Sequence, residues 1–197
     1  MTSIFFFLQI FLNISILINK LKTFENINSN VVSILLVLFG TILLAISAKI
    51  QLPFWPVPMT MQTFVIFLIG MTYSVRLSFI TVSMYLFEGA LGLPVFASGG
   101  GIAYLVGPTS GYLYGMLISS VVISYLANLG FSKTYFKTSI TLLIGSFVIF
   151  LFGILYLGSI IGYEKAIFAG LLPFIPSEIF KIALAVSLIP TIQKIIN

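Results

Sequence analysis

The sequence contains no cysteine, no histidine and no aspartate, so that four glutamates are the only side-chain carboxylates among its 197 residues. Without cysteine and histidine there are no disulfides, no thiol redox chemistry, no imidazole acid–base catalysis and no thiolate or imidazole metal site. Charged residues make up 7% of the chain, against roughly 25% in a soluble domain. We therefore expect no catalytic residues, no bound metal and no cofactor, and a surface that is not mainly in contact with water.

Apolar residues dominate what is present: 60% of the residues are hydrophobic and the mean hydropathy is +1.23. This composition predicts an integral protein of the lipid bilayer, and the length favours one bundle over two domains. The net charge of +5 is not gathered in a basic cluster. We therefore expect no nucleic-acid partner and attribute the positive charge to membrane orientation.

The apolar runs predict an all-α bundle of six transmembrane helices over residues 31–197. The predicted spans are residues 31–48, 60–73, 74–89, 109–129 and 138–158, and a last helix from about Pro176. Residues 51–58 contain three prolines and cannot continue a helix. Residues 92–107, rich in glycine and proline, cannot be regular helix throughout. Residues 131–137 are predicted to be a loop, and 160–175 to hold a short surface helix.

The basic residues are distributed unequally between the two sides of such a bundle. With an even number of spans one side receives Lys20, Lys22, Arg76, Lys133, Lys137 and Lys194, whereas the other receives Lys49 and Lys165. Cytoplasmic loops carry the excess of Lys and Arg. The asymmetry predicts a multi-pass protein of the inner cell membrane with both ends of the bundle cytoplasmic, and with the two irregular loops facing outward.

The N-terminal extension, residues 1–30, allows more than one interpretation. Residues 4–18 are apolar but contain Gln9 and Asn13 and are short for a span. A signal peptide is expected to have a basic n-region and a small-residue cleavage site, and neither is evident. We favour an interfacial helix, with an extra spanning helix as the alternative.

An opposite-charge pair lies in the otherwise apolar last helix. Glu178 and Lys181 are three residues apart and therefore share a helical face. An unpaired charge at the bilayer centre costs about 2.5 kcal/mol or more, so such residues usually have a function. The structural alternative is that Glu178 favours the positive end of the helix dipole while Lys181 extends to the headgroups.

The two outward loops hold the other candidate residues. Consecutive glycines, including Gly99 and Gly100, allow backbone groups to approach a ligand closely, but no phosphate-loop sequence follows them. If ATP drives this protein, another chain must bind it. A plain long turn remains the alternative for this loop. For Trp55 and Phe96 the alternatives are stacking on a ligand and an interfacial aromatic belt.

Four stretches of the chain together resemble the BioY family, the biotin-specific substrate-binding components of energy-coupling-factor (ECF) transporters. They are Pro56-Val-Pro-Met-Thr-Met-Gln-Thr63, Leu93-Pro-Val-Phe-Ala97, Gly107-Pro-Thr-Ser-Gly-Tyr112 and Pro173-Phe-Ile-Pro-Ser-Glu-Ile-Phe-Lys181. The resemblance covers residues 31–195 in order. Glu178 stands where the family has aspartate, Ser110 and Ser177 stand where glycine is usual, and residues 91–112 lack the arginine of some relatives.

The resemblance implies a six-helix fold with an outward-facing biotin pocket, an energy-coupling membrane subunit and two ATPase subunits as partners, and no enzymatic activity. It carries the family's acidic and basic pocket residues over to Glu178 and Lys181. The full set of residues expected to bind biotin is Glu178, Lys181, Ser98, Thr109, Tyr112, Trp55, Phe96, Gly99 and Gly100.

Two other classes of function stay open at this point. A secondary transporter of another small vitamin-like solute is expected to carry charges in several spans or repeated halves, and this sequence has one intramembrane pair and no convincing repeat. A scaffold without a ligand is the second alternative. A membrane enzyme is disfavoured because histidine, cysteine and aspartate are absent.

Overall fold

The computed structural model describes residues 29–196, and for residue 29 and residues 190–196 it describes the backbone alone. The predicted interfacial or spanning helix at residues 4–18 lies outside the described residues and stays a prediction. The same holds for the proposed division into an extension, residues 1–30, and a six-helix domain, residues 31–197.

Eight α-helices and one antiparallel pair of two-residue strands form within residues 29–196. In chain order they are α1 (Ser29–Lys49), β1 (Gln51–Leu52), β2 (Met59–Thr60), α2 (Gln62–Thr72), α3 (Val75–Ala90), α4 (Ile102–Leu105), α5 (Ser110–Leu126), α6 (Tyr135–Ile161), α7 (Tyr163–Gly170) and α8 (Ile175–Ile196). A π-helical turn, Ala127–Phe131, extends α5, and a 3₁₀ turn, Leu172–Phe174, precedes α8.

Four helical segments of the described chain are long and apolar enough to cross a membrane, which makes this a multi-pass membrane protein. They are Asn30–Lys49, Ser110–Phe131, Tyr135–Ile161 and Tyr163–Ile189. Helices α2 and α3, with 11 and 16 residues, are shorter than the roughly 20 residues of a typical span. Helices therefore form at all six predicted positions, while the number that span remains a prediction.

The predicted loop at residues 131–137 is wrong in its second half, because α6 begins at Tyr135. Thr134 caps this helix: its hydroxyl accepts a hydrogen bond from the backbone N–H of Lys137 at 3.4 Å. Such a cap satisfies one of the N–H groups that a helix start leaves without a partner. The short surface helix predicted within residues 160–175 is confirmed as α7, and the last helix starts one residue before Pro176.

Helix α2 forms the centre of the bundle, and its residues from Gln62 to Met71 are all buried. It packs against α1, α5 and α8. The close approach to α5 requires a glycine, because a Cβ at Gly70 would lie 2.7 Å from the side chain of Ile123. A helix that is apolar all round is expected to be enclosed by its neighbours, and this enclosure positions the start of α2 inside the protein.

One end of the bundle gathers the irregular segments. The end of α1 and the starts of α2, α5 and α8 lie there, because successive long helices run in opposite directions. The proline strap (residues 53–58) connects β1 to β2, whose pairing matches Gln51 with Thr60. The glycine loop (residues 92–101) follows α3 and turns through positive φ angles at three of its glycines. These two segments cover the buried start of α2.

Candidate ligand-binding site

The predicted charge pair is formed and buried. Lys181 Nζ lies 2.6 Å from Glu178 Oε2, and the two residues are 2% and 4% exposed. The 3₁₀ turn before α8 places Glu178 in the first turn of that helix, and Lys181 follows one turn later on the same face. An ammonium group so enclosed does not extend to headgroups, so the structural alternative for Lys181 is wrong.

Three other elements complete a polar network around the pair. Thr63 of α2 donates its hydroxyl to Glu178 Oε2 at 3.1 Å, and Ser146 of α6 donates to Oε1 at 3.1 Å. Lys181 Nζ donates to Thr63 Oγ1 at 2.6 Å and to the carbonyl of Thr60 at 3.3 Å. Each of the three ammonium protons therefore has an acceptor within the protein. A fully satisfied network of this kind fixes side-chain positions.

The pair forms part of the wall of a cavity. The empty space along its walls, open solvent included, is about 500 Å³. The lining residues come from the strap, β2, α2, the glycine loop, α4, the segment before α5, α5, α6, the 3₁₀ turn and α8. They are Val57, Pro58, Thr60, Gln62, Thr63, Ala97, Tyr104, Thr109, Tyr112, Leu113, Met116, Ile149, Phe150, Phe174, Glu178 and Lys181.

Three aromatic rings form an apolar part of the cavity wall. Tyr112 and Phe174 are stacked with ring centroids 6.4 Å apart, and Phe150 meets each of them edge to face at 6.2 Å. The Tyr112 hydroxyl donates to the carbonyl of Gly170 at 2.8 Å. Because the ring of Tyr112 is held at its far end in this way, the wall presents a fixed apolar surface to the cavity.

The structure brings four of the nine predicted site residues to this cavity: Glu178, Lys181, Thr109 and Tyr112. The other five lie elsewhere. Ser98 and Gly100 are exposed and Gly99 is half-buried; Trp55 and Phe96 are also absent from the lining. The side chains of an irregular loop need not point toward the site that the loop covers, and the glycine loop instead presents Ala97 to the cavity.

Trp55 and Phe96 have opposite surroundings. Trp55, 86% exposed, lines a separate outer groove with Pro56 and Lys165. Phe96 is fully buried and stacks on the cavity residue Tyr104 with centroids 4.9 Å apart. A Cβ at Gly89 would collide with the ring of Phe96. Phe96 therefore holds the glycine loop against α3 and is separated from the cavity by Tyr104.

Sequence reasoning missed residues at both walls of the cavity. Thr63 lies inside one of the four stretches that carry the family resemblance, so its position in that stretch was an available signal. Ser146 and Phe150 lie in a long apolar helix, where nothing marks one serine or one phenylalanine from its neighbours. Phe174 also lies inside one of these stretches, Pro173–Lys181, so the same signal was available for it.

No group of three or more His, Cys, Asp or Glu residues that could hold a metal ion occurs in the described part of the chain. The polar groups that line the cavity are hydroxyl groups, one side-chain amide and one ion pair. Fold and site thus define a multi-pass helical membrane protein with a partly open cavity at one end, lined by a buried ion pair and by aromatic rings.

Comparisons with known proteins identify the family. The BioY family model matches residues 20–197. A protein named "Probable biotin transporter BioY" from Rickettsia prowazekii (strain Madrid E) is 36% identical over 166 residues, which cover 84% of this chain and 85% of that protein. The "Biotin transporter BioY" of Thermotoga maritima is 34% identical over 79% of this chain and 92% of its own length. The chain belongs to the BioY family.

A solved structure supports the same conclusion at the level of fold. The crystal structure of the "S-component for biotin from an ECF-type ABC transporter" superimposes with a TM-score of 0.75 at 26% identity, covering 85% of this chain and 95% of that chain. The family is one of transporter components and not of enzymes. The resemblance inferred from the four sequence stretches is therefore confirmed.

Proposed function

We propose that this chain binds biotin in the cavity beside Glu178 and Lys181, and that it serves as the substrate-specific component of an ECF-type transporter. The observation that carries the proposal is the buried ion pair in the wall of a cavity, in a chain whose relatives are named biotin transporters. A buried ion pair is costly to desolvate and weak evidence for stability, so its presence favours a role in binding.

The ring of biotin matches the polar wall. Its ureido group offers two N–H donors and one carbonyl acceptor. Glu178 Oε1 accepts only from Ser146 among the described side chains, so a lone pair remains for a ureido N–H. Hydrogen bonds to a charged group contribute roughly 1.5–3 kcal/mol. The proposed donors to the ureido oxygen are the hydroxyl of Thr109 and one amide proton of Gln62, both lining residues. The other amide proton of Gln62 is donated to the hydroxyl of Tyr85.

Lys181 acts mainly as the counter-charge that keeps the carboxylate of Glu178 buried, because its three protons already have protein acceptors. The apolar bicycle of biotin packs between the rings of Tyr112, Phe150 and Phe174. Aromatic side chains supply large rigid contact areas of this kind. We assign no direct contact to Ser98, Gly99, Gly100, Trp55 or Phe96, and give Phe96 the role of holding the glycine loop.

In the membrane, we propose that the six helices of eleven or more residues among the described residues all cross the bilayer, with α2 and α3 as short spans. Both ends of the bundle then lie in the cytoplasm and the cavity end faces outward, as the distribution of basic residues predicts. The sequence carries no nucleotide-binding motif. ATP hydrolysis therefore falls to partner chains, which we propose to be an energy-coupling membrane subunit and two ATPase subunits.

Titration of the purified chain with biotin tests the proposal. Glu178→Gln keeps the size of the side chain but removes its charge, and is expected to weaken binding by about 10- to 150-fold, the factor for one charge-assisted hydrogen bond. Glu164→Gln is the matched control, because Glu164 is an exposed residue of α7, and its affinity should equal that of the wild type. Equal affinities for wild type and Glu178→Gln would contradict the proposal.

A transport measurement separates the proposal from its alternative, a self-contained secondary transporter of another vitamin-like solute. In liposomes that contain the purified chain alone, we expect biotin binding without uptake driven by an ion gradient. Gradient-driven uptake of a different solute, with no biotin binding, would favour the secondary transporter.

A further inference from the structure

One lysine, which is exposed and does not itself line the cavity, contacts the glycine loop beside it. Lys49 ends α1, and its Nζ donates to the carbonyl of Phe96 at 2.6 Å and to that of Ala97 at 3.5 Å. The same carbonyl of Ala97 accepts from Gln51 Nε2 at 3.1 Å. Ala97 is itself a lining residue of the cavity. The ammonium group therefore lies beside the cavity wall and is held there by neutral groups.

The positive charge of Lys49 has no carboxylate partner. Within the described side chains the one ion pair is that of Glu178 and Lys181, so the carbonyls of the glycine loop orient the ammonium of Lys49 without neutralising it. An ammonium has three N–H donors, and two of them point at these carbonyls. One donor and the full charge remain available to an anion at the mouth of the cavity.

Apart from Lys181 of the buried pair, no other basic residue with a described side chain is placed in this way. Arg76 is in the first turn of α3, and Lys133 and Lys137 lie at the turn between α5 and α6, which is the opposite end of the bundle. Lys165 is at the same end as the cavity but lines the outer groove with Trp55. Lys49 alone among these cations contacts a residue that lines the cavity.

We infer that Lys49, assisted by Gln51, forms a subsite for the carboxylate of the ligand's tail. The inference rests on the proposed function, which places the ureido ring at Glu178. A ligand with a neutral ring and an anionic tail is oriented by unequal ends of the site: the ion pair of Glu178 and Lys181 is neutral overall, whereas the ammonium of Lys49 attracts the anionic end. The subsite therefore recognises a small organic carboxylate and fixes the direction in which the ligand enters.

The experiment pairs a charge change in the protein with one in the ligand. The affinities of biotin and of its neutral amide are measured by calorimetry for wild type, Lys49→Gln, Lys49→Arg and the control Lys165→Gln. The quantity of interest is the preference for biotin over the amide. A change in the position of the glycine loop lowers both affinities together and leaves this preference unchanged, whereas loss of a charge contact lowers the affinity for biotin alone.

We expect wild type, Lys49→Arg and Lys165→Gln to prefer biotin by about tenfold, the factor that corresponds to 1.4 kcal/mol, and Lys49→Gln to show almost no preference. A preference that persists in Lys49→Gln overturns the inference. Equal affinities of wild type for the two ligands overturn it as well, and this arm requires no variant to fold. Binding of neither ligand to wild type would instead refute the proposed function, and the inference with it.

Discussion

Replacing Lys181 by methionine removes the charge that compensates Glu178 while keeping an unbranched apolar chain in its place. Glu178 is 4% exposed, so bulk water compensates little of the charge that the lost ammonium leaves behind. Thr63 and Ser146 still donate to its two oxygens, but hydroxyl groups carry no net charge. The carbonyl of Thr60 also loses the ammonium that it accepts from.

Removing one partner of a buried ion pair typically costs 3–5 kcal/mol, and we expect about that loss in the free energy of unfolding for Lys181→Met. The double variant Glu178→Gln/Lys181→Met is expected to lose less than the sum of the two single variants. Its neutral amide requires no counter-charge and still interacts with the hydroxyls of Thr63 and Ser146. Residues in direct contact commonly show coupling energies of about 0.5–3 kcal/mol.

The assay is equilibrium unfolding of the purified proteins in detergent, followed by far-ultraviolet circular dichroism, with Lys165→Met as the matched control. Lys165 is an exposed lysine without an ion-pair partner in the described chain, so its variant should lie within about 0.5 kcal/mol of wild type. Two results would refute the reasoning: a Lys181→Met variant as stable as the control, or single and double variants whose effects simply add.

Two further variants test the other contacts of the cavity. Ser146→Ala removes one donor from the buried carboxylate and is expected to weaken biotin binding by about 0.5–1.5 kcal/mol. The control is Ser159→Ala, because Ser159 is an exposed serine of the same helix, and this variant should bind biotin as wild type does. Equal affinities for both variants would contradict the role of the network. Gly153→Ala brings a Cβ into the ring of Tyr112 and is expected to cost about 1–3 kcal/mol of stability and part of the affinity. The control is Gly107→Ala, whose Cβ would meet only ordinary contacts at 3.4 Å or more, and its thermal unfolding temperature should equal that of wild type. A Gly153→Ala variant with the unfolding temperature of wild type would disprove the tight packing.

The sequence alone predicted the features that depend on local spacing. Glu178 and Lys181 had to share a face because three residues separate them on a helix, and the cost of a charge in lipid made their burial in protein the expected outcome. The prolines at 53, 56 and 58 excluded a helix in the strap. The start of α6 was placed too late because the capping role of Thr134 was overlooked, although Ser or Thr before an apolar run is a known helix start.

Features that depend on how distant segments meet were not readable. The ion pair is hydrogen-bonded by the hydroxyl of Thr63 from α2 and by that of Ser146 from α6, and no periodicity relates either residue to α8. The glycine loop is neither helix nor strand, so no regular side-chain periodicity applies to it. The inward direction of Ala97 and the burial of Phe96 against Gly89 could therefore not be derived from the sequence. Trp55 was predicted to contact the ligand because its aromatic ring can stack on one. The exposure of Trp55 depends on the backbone path of the strap, which the three prolines do not determine.

The most direct test of the central claim is a structure of this chain determined with biotin bound. The account predicts the ureido ring in the cavity, with a ring nitrogen about 2.7–3.2 Å from a carboxylate oxygen of Glu178, the range of an N–H···O hydrogen bond. The bicycle should lie against Tyr112 and Phe174. Biotin bound in the outer groove beside Trp55 and Lys165, with the ion pair of Glu178 free of contact with the ligand, would contradict it.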